Sequence, residues 1–444
     1  MFGRTCLSFA VLLCSTPLWC QVEPSASGGQ ATADDDSLMT LPPSVSGSFY
    51  SSSVGSEERE NTLGGGLLFT AAYDDNVIAN VNGSPIGAES YTIEPNIYFN
   101  THTSRLSGSL NYVPGFIFYD PTSDLNQVTQ NAVAQFEYRL TPHTTVGVEE
   151  GFTQNSTVFS TPYTLQGATI SASGADMPGI VIDPYVGQLS DYTSGHVGYQ
   201  LSRSSMISAS GSFSSFQYTG AGPITGFYNS QGGGGTGAYS RRLTRRQYVG
   251  ASYRYSTTTS SPFPSTTTSQ FESAFYSIGI GAGFSLSITG GPEYTTTTSP
   301  KVVTTHSWSP SGNLGLGWQR KRAVFAMSYA RAVTTGGGLL GSFTMDNASA
   351  TAGWQFTQRL VGSLNGDYVN TKTATLLAAS GNPTGHTVFG GATMQYRLAE
   401  HLNLVGQYSR VHNTYGAIMA LAEDPNIDRI SVSINYDFRR PIGR

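Results

Sequence analysis

The stretch RISVSINYDF, Arg429 to Phe438, alternates without a break. Successive side chains of an extended chain point to opposite faces. Ile430, Val432, Ile434, Tyr436 and Phe438 therefore share one face, and Arg429, Ser431, Ser433, Asn435 and Asp437 share the other. A strand tilted across a bilayer needs about 9–11 residues, so a segment of this length with one oily and one wet face has the form of a membrane-spanning strand. The pattern recurs upstream. Leu106, Leu110, Tyr112, Phe116 and Phe118 oppose Ser107, Ser109 and Asn111, and Ala392, Met394, Tyr396 and Leu398 oppose Thr393, Gln395 and Arg397.

A half-buried sheet of a soluble protein alternates in the same way, so the spacing of the aromatics has to decide. Phe99, Tyr138, Tyr199, Tyr239, Phe284, Trp318, Trp354, Tyr396 and Tyr436 return at intervals mostly near forty residues, and Phe438 joins the last of them. Most precede a short turn, as at Thr141-Pro142-His143, Ser202-Arg203-Ser204, Arg320-Lys321-Arg322 and Ala399-Glu400-His401. Amphipathic rings repeated at one level form the girdle of a membrane barrel, whereas ordinary cross-strand packing would not fix them beside the turns.

The intervening connections are long and rich in Gly, Ser, Thr and Pro: Asp74 to Gly87, Val158 to Gln188, Thr257 to Ser269, Thr373 to Gly385 and Gly416 to Asn426. Short turns on one rim and long loops on the other are the outer-membrane arrangement. Nine aromatic landmarks predict an all-β fold: an up-and-down antiparallel transmembrane barrel of about 18 strands, with 16 as the alternative, and both chain ends on the short-turn, periplasmic side. Two places fit poorly. Gly279 to Thr289 leaves little room for a turn, and Gly232 to Gly235 reads as a flexible strand end or loop.

Composition agrees. Only 11% of residues are charged, with 52 Gly, 25 Tyr and 22 Phe, against roughly a quarter charged in soluble domains. The net charge of −5 excludes a nucleic-acid partner. All three cysteines, Cys6, Cys14 and Cys20, fall in the first twenty residues, which removes disulfide, zinc-thiolate and cysteine-nucleophile chemistry from the rest. Arg4 followed by the apolar Thr5 to Leu18 reads as a signal peptide over Met1 to Cys20. Gln21 to Thr62, with Asp34, Asp35 and Asp36 and the pair Pro42, Pro43, reads as a flexible periplasmic lead-in, too small to be a plug. The barrel is expected over Leu63 to Phe438, and Arg439 to Arg444 as a basic tail. No stretch beyond the signal approaches the roughly 20 apolar residues of a spanning helix. Strands in hydrocarbon must close, because an open edge would leave amides without hydrogen-bond partners.

If the apolar face meets lipid, the other lines a lumen. The expected lining includes Glu94, Gln135, Glu137, Arg139, Glu149, His196, Gln200, Arg254, Gln319, Gln355, Asp367, Gln395, Arg397 and Asp437. These residues are wet and mixed in sign, and a barrel this wide leaves an aqueous channel. Passive diffusion of small hydrophilic solutes follows, with weak selectivity because strong selectivity needs rings of one charge. Cross-strand pairing that stiffens the wall is the competing role for any one of these charges. The loop Val158 to Gln188 has the length to fold inward.

Little points to catalysis. His102, His143 and His401 fall at the short turns, and only His196, two residues after Ser194, is placed on a lumenal face, with no acid assigned to it. No histidines and carboxylates stand at metal-ligand spacing, and no cofactor is implied. Asp74-Asp75-Asn76 has oxygen ligands for a weak calcium site but reads better as a hydrated loop tip. The Thr runs Thr257 to Thr259 and Thr295 to Thr298 favour strands. The chain is expected not to be an enzyme.

The signal peptide, the repeated aromatic-polar-Leu-turn units (Tyr138-Arg139-Leu140-Thr141, Tyr199-Gln200-Leu201-Ser202, Tyr396-Arg397-Leu398-Ala399) and the terminal Tyr436-Asp437-Phe438 resemble the uncharacterised porin-like outer-membrane β-barrels of bacteria. The resemblance covers about Leu63 to Phe438. It implies the outer membrane of a Gram-negative-type bacterium, contact with its lipid, recognition of the last strand by the assembly machinery, and a pore for small solutes. Such assembly signals usually end on an aromatic, whereas Arg439 to Arg444 follow here. A barrel for polysaccharide export or surface display is the alternative, and the sequence fixes no oligomeric state.

Overall fold

The computed structural model describes residues 61–77, 85–155, 187–218, 228–262, 264–280, 283–299, 302–334, 342–373, 385–415 and 426–442. The expected signal peptide, nearly all of the lead-in and the loop Val158 to Gln188 lie outside the described residues. Within them the chain forms 18 strands. They are β1 (Thr62–Asp74), β2 (Ala88–His102), β3 (Leu106–Asp120), β4 (Gln127–Thr141), β5 (Thr144–Asn155), β6 (Gln188–Ser202), β7 (Ser205–Tyr218), β8 (Asn229–Thr244) and β9 (Gln247–Ser261). The second half comprises β10 (Ser265–Ile280), β11 (Phe284–Ser299), β12 (Val302–Arg320), β13 (Ala323–Thr334), β14 (Phe343–Gln355), β15 (Leu360–Thr373), β16 (Gly385–Ala399), β17 (Leu402–Tyr415) and β18 (Asn426–Pro441).

Each strand pairs antiparallel with its neighbours in sequence, and β1 also pairs with β18 along its whole length, from Thr62↔Pro441 to Asp74↔Arg429. The sheet is a closed barrel, so no backbone edge is left to face hydrocarbon. Closure reaches into the expected tail. Arg439, Arg440 and Pro441 are the last rungs of β18, opposite Gly64, Leu63 and Thr62, and the Ile442 amide donates to the Asn61 carbonyl.

Register makes each face continuous from strand to strand. On β1 and β2, Leu63↔Phe99, Leu67↔Pro95 and Tyr73↔Glu89 lie on one side. On β3 and β4, Leu106↔Tyr138, Leu110↔Ala134 and Phe116↔Val128 continue it. This side carries Leu67, Ile97, Leu110, Phe136, Val148, Ile288, Leu364 and Ile430, all exposed although apolar. The opposite side carries the buried polar groups, from Asp74 and Ser90 to Asn403 and Asp437. A water-soluble sheet would reverse these faces. An apolar exterior around a polar interior belongs to a barrel in lipid.

The β3–β4 link is short, and two stretches expected as loop or flexible strand end lie mostly within strands. Asp120 and Gln127 bound a short link containing one 3-10 turn, Ser123–Leu125. The interval Thr257 to Ser269 is mostly strand: β9 runs to Ser261 and β10 starts at Ser265, with Thr257↔Thr268 and Thr259↔Thr266 paired, because β-branched threonines hold extended backbone. The Gly232–Gly235 run lies inside β8, opposite Ser214 to Gly211 on β7 and Thr258 to Tyr255 on β9, rather than in a loop. Neighbouring β-formers hold these glycines extended, since their own propensity would not. The tight place after Gly279 is a true turn. Ile280 pairs directly with Phe284, and Gly283 makes the reversal at φ +84°, where a side chain is disfavoured.

Candidate functional site: the lumen and its rims

Register fixes which side each sequence-predicted residue takes. Glu94 shares the inner face of β2 with Ser90 and Tyr98. Gln135, Glu137 and Arg139 lie on the inner face of β4, and Glu149 opposes Gln135 from β5 and accepts its amide at 3.1 Å. His196 and Gln200 lie on the inner face of β6. The imidazole covers Gly147, where an added Cβ would come within 2.1 Å of His196 Cε1. Arg254, Gln319, Gln355, Asp367, Gln395, Arg397 and Asp437 likewise take the side opposite the exposed hydrophobics. Ser194, buried on the same face as His196, pairs with Glu149 across the strands, and no hydrogen bond joins Ser194 to His196.

Three polar clusters organise this inner face. The first is built on Glu293 of β11, which is fully buried. Its carboxylate accepts hydrogen bonds from Ser269 and Ser311, from Arg254 at 3.5 Å and from the backbone amide of Val333 at 3.2 Å. The donors come from β9, β10, β12 and β13, and the Arg254 guanidinium also stands 5.0 Å over the Phe271 ring. Sequence reasoning found Arg254 and missed Glu293. A carboxylate between Pro292 and Tyr294 in a Thr-rich strand was the available signal.

The Val333 contact has a topological consequence. Strand β13 pairs with β12 only up to Gly312↔Arg331, while β12 continues to Val302 against β11 alone. Beyond that point Val333, Thr334, Ser342 and Phe343 are buried, and Ser342 accepts from Thr297 on the inner face of β11 at 3.2 Å. The ends of β13 and β14 therefore leave the wall and form a shelf on the lumenal side of β11, with Glu293 as its latch.

The second cluster closes the seam between β1 and β18. Asp74 pairs with Arg429 at 3.6 Å, Asp75 Oδ1 accepts the Asp428 amide at 2.8 Å, and Asn76 Nδ2 donates to the Asn426 carbonyl at 3.3 Å. Asp74-Asp75-Asn76 thus ties the first strand to the last and is not a hydrated loop tip. The third cluster, near the short turns, joins Tyr98 to Asp437 at 3.2 Å and Arg439 to Asp437 at 3.4 Å.

Further inward-facing amides keep side-chain atoms without a protein partner. Asn96, Asn313, Asn347 and Asn435 each keep a buried side-chain oxygen unbonded by protein, and both polar atoms of the buried Asn403 are so placed. A dry group of this kind costs about 1–3 kcal/mol.

The aromatics named from the sequence all take the outer face. Tyr138, Tyr199, Tyr239, Phe284, Trp354, Tyr396, Tyr436 and Phe438 are exposed, with Phe99 and Trp318 half-buried on the same side. Phe284 and Trp318 face each other across β11 and β12 with ring centroids 6.1 Å apart. A second aromatic ring, unforeseen from sequence, stands toward the long-loop ends. Its tyrosines donate to outward polar groups one step higher: Tyr91 to Glu89 at 2.8 Å, Tyr112 to Gln130 at 3.3 Å, Tyr253 to Gln270 at 3.3 Å, Tyr329 to Asp346 at 2.7 Å and Tyr408 to Asp428 at 2.6 Å. Amphipathic rings with hydroxyls turned to the polar side mark an interface. The signal was available as a tyrosine with an acid or amide two residues away or across the strand.

Two aromatic rims, an apolar belt between them and a wet interior define a transmembrane β-barrel with a polar lumen. No protein-family model and no curated protein matches the chain. Among solved structures it is similar to Pseudomonas aeruginosa OpdQ (11% identity, TM-score 0.44, covering 85% of this chain and 99% of that one). It is also similar to the P. aeruginosa protein OccK2, or OpdF (8% identity, TM-score 0.45, 85% and 98%), and to Acinetobacter baumannii OccAB4 (10% identity, TM-score 0.42, 86% and 100%). At these values the likeness is one of outline, and the chain's own geometry defines its class.

Proposed function

We propose that the protein is an outer-membrane pore through which small hydrophilic solutes diffuse passively. The observation that carries this is the closed 18-stranded wall with an apolar outer face and a polar inner face. A barrel of this size is too wide for side chains to fill and leaves an aqueous channel along its polar face. Glu94, Glu137, Arg139, Glu149, Asp367, Arg397 and Asp437 line the path in this reading, and the Glu293-latched shelf narrows it on the long-loop side. Lining charges of both signs, with carboxylates in excess over arginines, predict only a weak preference for cations. Outward apolar residues face the lipid, and β18 addresses the assembly machinery.

Planar-bilayer recording of the full folded chain tests this reading. Stepwise conductance with a cation-to-anion permeability ratio only modestly above one is expected; a folded protein that leaves the bilayer silent would remove it. Polysaccharide export, the alternative, requires solute-selective block of the current by oligosaccharides, which the same recordings reveal.

A further inference from the structure

Among the described residues, the arginine and lysine side chains on the outer face toward the long loops all fall on one arc, β13 to β17, and His306 stands beside it on β12. They are Arg331, Lys372 and Arg410, with His386 and His412 between and beside them. On β2 to β11 the corresponding outward positions carry Glu89, Gln130, Gln154, Asp191, Gln217, Gln231 and threonines. The arc is built from a repeated unit. Arg331 lies 3.6 Å from Asp346, whose same oxygen accepts from Tyr329. Arg410 lies 3.3 Å from Asp428, which accepts from Tyr408. In each unit the arginine is the more exposed member, 38% against 15% for the first pair and 55% against 29% for the second. The aspartates are already shared with tyrosines, and each guanidinium has five donors in a planar fork, so donors remain for an oxyanion outside. Between the arginines, the rings of His386 and His412 lie 5.9 Å apart, and His412 Nδ1 meets Asn426 Oδ1 at 2.6 Å.

Immediately below the arc the wall turns apolar. Leu364, Tyr368, Val388 and Tyr408 are exposed there, and between them an added Cβ at Gly390 or Gly406 would meet nothing within 4 Å. Cations over a shallow apolar trough complement a molecule with an anionic head and hydrocarbon tails. We propose that the outward rim of β13 to β17 docks phosphate-bearing lipids, their phosphates each on one of the basic side chains Arg331, Lys372 and Arg410 and their acyl chains along the trough. Phosphate oxygens match the guanidinium fork bidentately and carry more charge than the resident aspartates. The inference rests on reading this face as the lipid-facing one, and it does not depend on what crosses the lumen.

The test adds equal amounts of phosphatidic acid and phosphatidylcholine of identical chains to the full folded protein in zwitterionic micelles and counts retained lipid by native mass spectrometry. Wild type should favour the phosphatidic acid, by about five-fold for each basic residue engaged. The variant R331Q/K372Q/R410Q should lose that preference, and R410Q alone should lose part of it, which keeps the test usable if the triple variant folds poorly. A control on the short-turn rim, R203Q/K321Q/R359Q, should keep it. Equal retention by wild type and the triple variant, an equal fall in the control, or displacement of the lipid by millimolar inorganic phosphate would each overturn the proposal. The same preparations go into the planar bilayer, where the triple variant should conduct as wild type does. A wild type that is silent there yet selective for phosphatidic acid would sink the pore and leave the docking surface standing.

Discussion

Glu293 shows how one residue can hold a wall and shape a lumen together. Its carboxylate gathers donors from four strands, and its counter-ion Arg254 is itself nearly buried. Removing one member of a buried pair leaves the other as an uncompensated charge, at a cost of about 3–5 kcal/mol. Glu293→Ala is therefore expected to lower the urea midpoint of the detergent-folded protein markedly. It should also raise single-channel conductance, because the Val333 amide that anchors the shelf loses its acceptor. Glu272→Ala, which removes an outward carboxylate on the neighbouring strand, should shift stability by no more than about 0.5 kcal/mol and leave conductance alone. A midpoint shift in E293A with unchanged conductance would separate the latch from the pore and remove the shelf as its narrow section. At this scale the sequence is least legible. Strand parity places Arg254 on the inner face, but nothing local says that its partner lies 39 residues away. Asp74-Asp75-Asn76 looked like a loop tip for the same reason: its partners, Arg429, Asp428 and Asn426, are contributed by the far end of the chain.

Single strands are far more legible, because their two-residue period is written locally. Alternation in Arg429 to Phe438 and in Leu106 to Phe118 survives intact in β18 and β3, with the expected faces. Lengths and links are harder. Thr257 to Ser269 looked like a loop by its Ser, Thr and Pro content, whereas its threonines extend β9 and β10 and leave only a tight reversal. Loop chemistry and strand chemistry overlap at threonine, and pairing across the hairpin decides. The β10–β11 turn makes the same point through one glycine. An added Cβ at Gly283 would lie 2.1 Å from the Gln319 carbonyl oxygen, and its φ of +84° adds the left-handed penalty of about 1–2 kcal/mol. Gly283→Ala should thus cost more than 2 kcal/mol in total on urea unfolding. Gly279→Ala, whose nearest contact is the Arg246 Cβ at 3.9 Å, should be close to neutral, and equal effects of the two would argue against the turn as described.

The whole molecule depends on its two faces meeting different solvents, and adjacent residues of one strand can test this. Leu364 and Asn365 are neighbours on β15. Leu364 is 61% exposed on the outer side, whereas Asn365 points inward with its Oδ1 against Gly391. In a soluble sandwich, arginine would be tolerated at the exposed leucine and rejected at the half-buried asparagine. In a barrel the order reverses. An arginine on the lipid face near the bilayer midplane costs about 2–4 kcal/mol, while one in a wet lumen finds water and the carboxylate of Asp367 on the same face of β15. Leu364→Arg should therefore depress the folded fraction and unfolding midpoint in lipid vesicles while leaving the conductance of surviving channels unchanged. Asn365→Arg should fold at near wild-type yield and shift current toward anions, since it adds one lining cation without adding an acid. The two readouts are independent, so a variant pair that changed stability and conductance together, or in the opposite order, would mean that lipid and water do not divide along this wall.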